Sequence, residues 1–228
     1  LLNTLGEPEK ALGLIKARKF HQWEGGEGKV AAQYLTALYQ LAKAAVEKED
    51  YAEAKELLLR AVGEYPHNLG EGKLESGQEN NLYYLLGLVQ EKLGEAKDAF
   101  ESLTRACCGE SEPVGMMYYN DQPPEMIYYQ GLAYRMLGEE EQAVRRFQKL
   151  VDYGREHIRD DVKIDYFAVS LPDLLIFEEN LNERNRKHCL FMMSLGLKGL
   201  GRSDEAEKCA EELLAMDNAH QEIRVHDL

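Results

Sequence analysis

Residues 131–147 read GLAYRMLGEEEQAVRRF, and this stretch decides the fold. The small residue Gly131 is followed seven positions later by the turn residue Gly138, and five positions after that by Ala143. Apolar residues before and after the turn recur at helical spacing, which predicts two amphipathic helices joined by a tight turn. A single pair of this kind cannot bury its apolar stripes, so it requires neighbouring pairs to stack against.

The same pattern occurs four times in the chain. Each copy has a small residue, a turn residue and an alanine, in the sets Ala42, Glu49 and Ala54; Gly87, Gly94 and Ala99; Gly131, Gly138 and Ala143; and Ser194, Gly201 and Ala206. Glycine suits the turn because it accepts the left-handed conformation of a helix C-cap. The pattern closely resembles the tetratricopeptide repeat, whose pairs place small residues where helix A crosses helix B. This resemblance implies an all-α, right-handed helical solenoid.

Successive turn residues are more widely spaced than the ~34 residues of an ordinary tetratricopeptide repeat. Long inserts are therefore expected between each helix B and the next helix A. We predict one solenoid over 1–228, divided into a partial repeat 1–18, repeats with inserts 19–66, 67–111 and 112–155, and a long insert with the last repeat and a C-terminal cap 156–228. Since the chain opens at a turn and a helix B, we expect it to be a fragment of a longer protein.

The inserts contain sequence motifs that are more specific than the repeat pattern itself. They include Phe-His-x-Trp-Glu-Gly-Gly-Glu-Gly-Lys at 20–29, Asn-Leu-Gly-Glu-Gly-Lys at 68–73, Tyr-Tyr-Asn-Asp-Gln-Pro-Pro at 118–124 and Ile-Asp-Tyr-Phe-Ala-Val-Ser-Leu-Pro-Asp at 164–173. These resemble the C-terminal repeat region of large bacterial proteins. In that family an N-terminal β-rich domain of unknown function, suspected of carbohydrate chemistry, precedes the helical array. The resemblance implies no catalytic residue for this chain.

Composition excludes several function classes. The 228 residues carry 27 Lys and Arg against 41 Asp and Glu, a net charge of −14. Such a charge repels phosphate backbones, so we expect no nucleic-acid partner. No apolar run in the sequence approaches the roughly 18 residues of a membrane span, and the apolar stretch at 1–5 is too short for the apolar region of a signal segment, so we expect no membrane partner. The four cysteines form no C-x-x-C pair, which favours reduced, mostly buried thiols and a cytoplasmic location.

The Gly-Glu-Gly-Lys sequence at 26–29 and 70–73 superficially resembles a phosphate-binding loop. The residue after each lysine is Val30 or Leu74, where a Ser or Thr would bind magnesium, and the upstream glycine is absent. We interpret the glycines as turns into helix A, with Glu and Lys in local ion pairs. No histidine pair has metal-ligand spacing on one helix face, so the sequence predicts no metal site and no cofactor.

Aromatic and polar residues in the inserts are the candidates for a ligand site. Rings stack on pyranose faces while carboxylates and amides accept hydroxyl protons, which is the chemistry of a sugar site. The alternative is that the rings fasten the loops onto the helices, with Asp and Asn capping turns. The candidate residues are His21, Trp23, Glu24, Tyr119, Asn120, Asp121, Asp165 and Tyr166.

A second candidate surface follows from the repeat register. The fifth position of helix A is aromatic in every copy, and it faces the concave side in a tetratricopeptide solenoid. The predicted groove residues are Tyr39, Tyr84, Tyr128, Phe191 and the nearby Arg135. These rings would anchor a peptide or helix, or the inserts would fold back and bury them.

These patterns lead to two functional hypotheses from different classes. The first is a non-catalytic scaffold that binds a protein, a peptide or the N-terminal region of its own parent chain. The second is the helical region of a carbohydrate-active enzyme whose inserts complete a sugar site. The direction of the insert side chains would discriminate them, because a catalytic pair of carboxylates must converge on one pocket.

Overall fold

The computed structural model describes residues 1–22, 26–73, 77–115, 121–163 and 180–226. In these ranges the regular structure consists of α-helices and one 3₁₀ turn, His67–Leu69, and contains no strand. The helices belong to two compact units, Leu1–Cys108 (unit 1) and Gly109–Leu228 (unit 2). The prediction of an all-α fold is confirmed.

Both units are built from consecutive helices that pack against their neighbours. Unit 1 contains α1 (Pro8–Lys16), α2 (Lys29–Glu47), α3 (Tyr51–Val62), α4 (Asn80–Lys92) and α5 (Ala96–Ala106). Unit 2 contains α6 (Pro124–Met136), α7 (Glu140–His157), α8 (Leu181–Gly199), α9 (Ser203–Met216) and α10 (Gln221–Val225). The four predicted pairs are α2 with α3, α4 with α5, α6 with α7 and α8 with α9, so the pairing of helices A and B is confirmed.

The predicted small residues lie where helix A and helix B cross. A Cβ atom added to Gly87 would lie 2.7 Å from Leu103 Cγ, and one added to Gly131 would lie 2.4 Å from Phe147 Cε1. Ala42 and Ser194, at the same position in the other pairs, have no exposed surface. Close helix crossings leave no room for a side chain there, which is why the position is restricted to small residues.

Each helix A ends at the predicted turn residue in the left-handed conformation. Gly94, Gly138 and Gly201 have φ values of 78°, 82° and 73°, and Glu49 occupies the same position at 59°. In every pair the next backbone N–H donates to the carbonyl oxygen five residues earlier at 2.9 Å, as in Asp50 N to Ala45 O. These bonds satisfy carbonyl groups that the end of a helix leaves unpaired.

The left-handed conformation of Glu49 predicts that glycine at this position would stabilise unit 1. A non-glycine residue is strained in the left-handed region, so Glu49→Gly is expected to raise the free energy of unfolding of unit 1 by about 0.5–1 kcal/mol. Gly94→Glu, the matched reverse change in the next pair, is expected to lower it by a similar amount. Urea unfolding of both variants checks the prediction, and a destabilised Glu49→Gly variant would contradict it.

Two inserts of unit 1 contact each other. The backbone N–H of Phe20 donates to Asn68 O at 2.8 Å, and the Asn68 side chain donates to Ile15 O at 2.9 Å. Glu71, from the second Gly-Glu-Gly-Lys sequence, accepts hydrogen bonds from Gly28 N at 2.8 Å and Ala31 N at 3.1 Å. The Glu71 carboxylate therefore caps the N-terminus of α2, which is the place a phosphate would take in a nucleotide-binding loop.

The lysine of the same sequence has a structural partner. Lys73 Nζ lies 2.7 Å from Glu79 Oε2 and also donates to the carbonyl oxygen of Val62. Burial raises the pKa of Glu79 and the nearby Lys73 lowers it, with the net shift upward. Lys73 is thus in a structural ion pair, but its partner lies outside the Gly-Glu-Gly-Lys sequence, whose own glutamate, Glu71, caps α2 instead of pairing with a lysine.

Candidate functional site

The five predicted groove residues differ in exposure. Tyr39, Tyr128 and Phe191 expose only 3%, 6% and 3% of their surface, whereas Tyr84 is half-buried. Arg135 is exposed; its guanidinium lies 2.7 Å from a Glu140 oxygen, and its Cζ lies 5.0 Å from the centre of the Phe147 ring. Three of the four rings are therefore packed inside their units, and the use of the column to anchor a partner stays a prediction.

In unit 2 the short helix α10 packs against aromatic side chains of the A helices, one of which, Phe191, belongs to the predicted column. The ring centroid of His220, at the start of α10, lies 5.3 Å from that of Phe191 on α8. The ring of His226, at the end of α10, lies 5.4 Å from that of Tyr129 on α6. Burial of Ile223, which exposes 1% of its surface, anchors α10 between these two ends. The chain itself thus places a helix on the helix A side chains of unit 2.

A buried cluster of polar side chains joins α10 to α6. The Tyr129 hydroxyl lies 2.9 Å from His226 Nδ1, and His226 Nε2 lies 3.6 Å from a Glu222 carboxylate oxygen. Glu125, in the first turn of α6, offers a carboxylate oxygen within 4.8 Å of ligand atoms of Glu222 and His226. Burial and the nearby Glu222 carboxylate raise the pKa of Glu125 to about 8.

Sequence reasoning did not select any of these four residues. The repeat register does align Glu125 with His188, because each lies six residues before the small residue of its helix A, Gly131 or Ser194. A polar side chain recurring at this position of helix A was the part of the pattern that sequence could show. Nothing in the sequence placed Glu222 or His226 next to Glu125, since about one hundred residues separate them. Only the packing of α10 brings them together.

A polar cleft lies where the third and fourth inserts meet α7 and α8. It has a volume of about 260 Å³. The rings of Tyr153 and His157 are 4.3 Å apart on one wall, and His157 Nδ1 lies 2.7 Å from Asp160 Oδ2. Asn185 donates a hydrogen bond of 2.7 Å to the His157 carbonyl oxygen. The described lining residues are Gly115, Tyr153, His157, Asp160, Asp161, Val162, Lys163, Arg184, Asn185 and His188.

His188 is a neutral histidine at the edge of this cleft. Its Nε2 lies 2.8 Å from the Val114 carbonyl oxygen, so Nε2 carries the proton and donates it. Burial lowers the pKa of His188 to about 4; Arg184 and His220 lower it further, while the Val114 bond and Asp121 oppose this. The side chain therefore links the third insert to α8 as an uncharged donor at neutral pH.

The pKa of His188 predicts how unit 2 responds to acid. The unfolded chain binds a proton near pH 6.5 and the folded chain only near pH 4. Stability contributed by neutral His188 is therefore present above pH 6.5 and lost as the pH falls to about 4, by up to about 3 kcal/mol. His188→Gln keeps an N–H donor and does not titrate, so its unfolding free energy should fall less between pH 6.5 and 4. An identical pH dependence in the two proteins would contradict the assignment.

The predicted insert residues are distributed between the two units. His21 is exposed in unit 1, and Asp121 is half-buried in unit 2, where its charge acts on His188 and Tyr153. The other candidates lie outside the described residues: Trp23, Glu24, Tyr119, Asn120, Asp165 and Tyr166. Their part in a ligand site stays a prediction.

All four cysteines are free thiols. Cys189 is buried, Cys107 and Cys209 are half-buried, and Cys108 is exposed. Burial raises the pKa of Cys189 to about 12, so this thiol is protonated at neutral pH and is a poor nucleophile. Most of the thiols were expected to be buried, but only Cys189 is, and the reduced state of the cysteines stays a prediction.

Comparison with known proteins identifies the repeat. Two segments, residues 36–68 and 125–153, match the family model of the tetratricopeptide repeat. The chain contains tetratricopeptide repeats. The first match covers most of the pair α2 and α3, and the second covers α6 and most of α7, in agreement with two of the four predicted pairs.

Among solved structures, the chain is similar to two crystal structures of the protein MamA. The sequence identities are 18% and 17%, and the TM-scores are 0.32 and 0.31. Each alignment covers 95% of this chain, and it covers 92% or 93% of the MamA chain.

Among the helices that the structure describes, none has the length and hydrophobicity to span a bilayer.

Proposed function

We propose that this chain is a protein-interaction module whose helix A surfaces bind a helical segment. The segment belongs to a partner protein or to another region of the same parent polypeptide. Tetratricopeptide repeats supply the scaffold, because stacked helix pairs present the side chains of successive A helices on one surface. The observation that carries the proposal is the packing of α10 on α6 and α8 in unit 2.

The contacts of α10 indicate what such a surface recognises. Buried Ile223 and Val225 supply apolar anchors, and the rings of His220 and His226 pack against Phe191 and Tyr129. This is recognition of a short helix by apolar and aromatic anchors.

The A helices of unit 1 also carry aromatic and apolar side chains next to charged ones. Tyr84 and Leu88 on α4 are half-buried, while Glu91 is exposed one turn later. On α2 the Lys43 ammonium lies 5.8 Å from the centre of the Tyr39 ring. We propose this surface as the place where an apolar helix from another chain binds, with Glu91 and Lys43 selecting its charge pattern.

A cleavage experiment tests whether the helix A surface of unit 2 binds α10 when α10 is no longer covalently connected to the chain. A protease site is inserted between Asn218 and Ala219, and the folded chain is then cut. We expect the 219–228 peptide to remain bound, and a fluorescent copy of it to exchange in with a micromolar dissociation constant. Substitution of Ile223 by Ala in the peptide should weaken binding about tenfold or more, because a buried anchor is truncated.

The matched control is Arg224→Ala in the same peptide. Arg224 is exposed, and within the described residues its hydrogen bond is to Asn218 O beside the cut, so the control should bind about as tightly as the natural sequence. Immediate loss of the cut peptide from a still folded unit 2 would contradict the proposal. Equal binding of the Ile223 and Arg224 variants would also contradict it.

The cleft between α7 and α8 supports a second candidate, a site for a small polar ligand such as a sugar. Its volume of about 260 Å³, the adjacent Tyr153 and His157 rings and the nearby carboxylates favour this chemistry. Saturation-transfer NMR against a panel of glycans tests it. Tyr153→Ser should abolish transfer to a bound glycan and Tyr51→Ser, on α3 of unit 1, should not. Absence of transfer with every glycan would reject the sugar site.

A further inference from the structure

We propose that Glu125, Glu222 and His226 form a binding site for one transition-metal dication, with Zn²⁺ as the best match. The site lies between the first turn of α6 and the helix α10. One ligand atom from each residue lies within 4.8 Å of the other two. Two carboxylates and one imidazole form an oxygen and nitrogen donor set of the kind that binds zinc.

The distances require only a small convergence of the side chains. Ligands about 2.1 Å from a zinc ion are about 3.5 Å from one another in a tetrahedron. His226 Nε2 and the Glu222 oxygen are already 3.6 Å apart. The Glu222 side chain is partly exposed on a five-residue helix, so it has room to rotate toward Glu125.

The Tyr129 hydroxyl is placed to hold His226 in the tautomer that binds a metal. A neutral imidazole carries one proton, and a bound metal takes the nitrogen without it. The Tyr129 hydroxyl lies 2.9 Å from Nδ1 and can accept a hydrogen bond from an Nδ1–H group, the tautomer that leaves the Nε2 lone pair for a metal. Metal-binding histidines commonly have such an outer partner, which fixes the ring and its tautomer.

The burial of Glu125 is the independent observation that points to a cation. Its side chain exposes only 7% of its surface, and it forms no ion pair with any other residue of the described ranges. The neighbouring charge that acts on it is the carboxylate of Glu222. Burial and this neighbour disfavour a negative charge on Glu125, and a dication bound between the two carboxyl groups would stabilise that charge.

The proposed metal site lies within the proposed helix-binding surface of unit 2. The metal-site proposal does not depend on helix binding. Glu222 and His226 lie on α10 and its C-cap, whereas Glu125 lies on α6. A metal bound by all three would fasten α10 to unit 2. Metal binding can be measured directly, so failure of the cleavage experiment above would leave this proposal open to its own test.

Cobalt titration of the full chain tests the proposal. After treatment with a chelator, Co²⁺ is added and its visible absorption is recorded, followed by competition with Zn²⁺. We expect one Co²⁺ per chain, with visible bands typical of oxygen and nitrogen ligands, displaced stoichiometrically by Zn²⁺. Glu125→Gln should weaken binding by at least about a hundredfold, because a charged ligand is lost, and Tyr129→Phe by about tenfold.

Two controls exclude other sites on the chain. His157→Gln removes the half-buried histidine paired with Asp160 and should leave the affinity unchanged. Binding at Cys107 or Cys108 would produce a near-ultraviolet sulfur-to-cobalt band, which should be absent. The proposal is overturned if no Co²⁺ binds, if that sulfur band accounts for the bound ion, or if Glu125→Gln binds as tightly as the natural chain while its circular dichroism shows a folded protein.

Discussion

Replacing Gly131 by Leu is expected to lower the free energy of unfolding of unit 2 by about 3 kcal/mol or more. The Cβ atom alone would lie 2.4 Å from Phe147 Cε1 and 2.7 Å from Cζ, which is closer than real contacts allow. Phe147 has no exposed surface and no space into which to withdraw, so helices α6 and α7 must separate. Thermal and urea unfolding followed by circular dichroism measure the effect.

The control for this prediction is Gly13→Ala on α1. Gly13 is also inside a helix, but an added Cβ meets no atom within 4 Å. Because alanine favours helix more than glycine does, Gly13→Ala should leave unit 1 as stable or stabilise it by up to about 1 kcal/mol. Unchanged stability of Gly131→Leu would show that the helix register is wrong.

The second large effect is expected at Phe147. Its ring fills the space between Gly131 on α6 and Gly199 on α8, and it lies 5.7 Å from the Tyr128 ring. Phe147→Ala should cost about 3–5 kcal/mol, because it removes a large buried side chain and leaves a cavity between three helices. Val144→Ala, on an exposed part of the same helix, should cost less than about 1 kcal/mol.

A double substitution separates lost packing from a general weakening of α7. Gly131→Ala crowds the Phe147 ring, whereas Phe147→Leu creates space at the same contact. The double variant should therefore be more stable than the sum of the two single effects predicts, by about 1 kcal/mol. Strict additivity in urea unfolding would contradict direct contact between the two positions.

Periodicity and small-residue spacing predicted the helices with good accuracy. The turn residues Glu49, Gly94, Gly138 and Gly201 are all in the left-handed conformation, and the crossings at Gly87 and Gly131 lie where the pattern placed them. These features depend on interactions within about twenty residues, between a helix A and its own helix B. Local sequence contains that information because helix period, caps and close crossings each restrict residue type.

The candidate sites were less predictable. The aromatic column was identified from sequence, but in unit 2 its Phe191 ring packs against His220 at the start of α10, a segment that the prediction described only as part of a C-terminal cap. Filling of the concave side by the inserts was one of two alternatives. Glu71 was expected in a local ion pair, whereas it caps α2 at the far end of another insert. In each case the contacting residue is distant in sequence, and helical periodicity contains no information about such a contact.

The sequence by itself determined the helix pairs, their register, the turns that end each helix A and the acidic net charge, from which we expect no nucleic-acid partner. The tertiary structure alone decided which polar groups meet. Glu125 becomes a buried carboxylate beside Glu222 and His226 only because α10 packs on α6, about one hundred residues away along the chain. Helix formation is set by local backbone and side-chain geometry, whereas the charge environment of a side chain depends on every element folded against it.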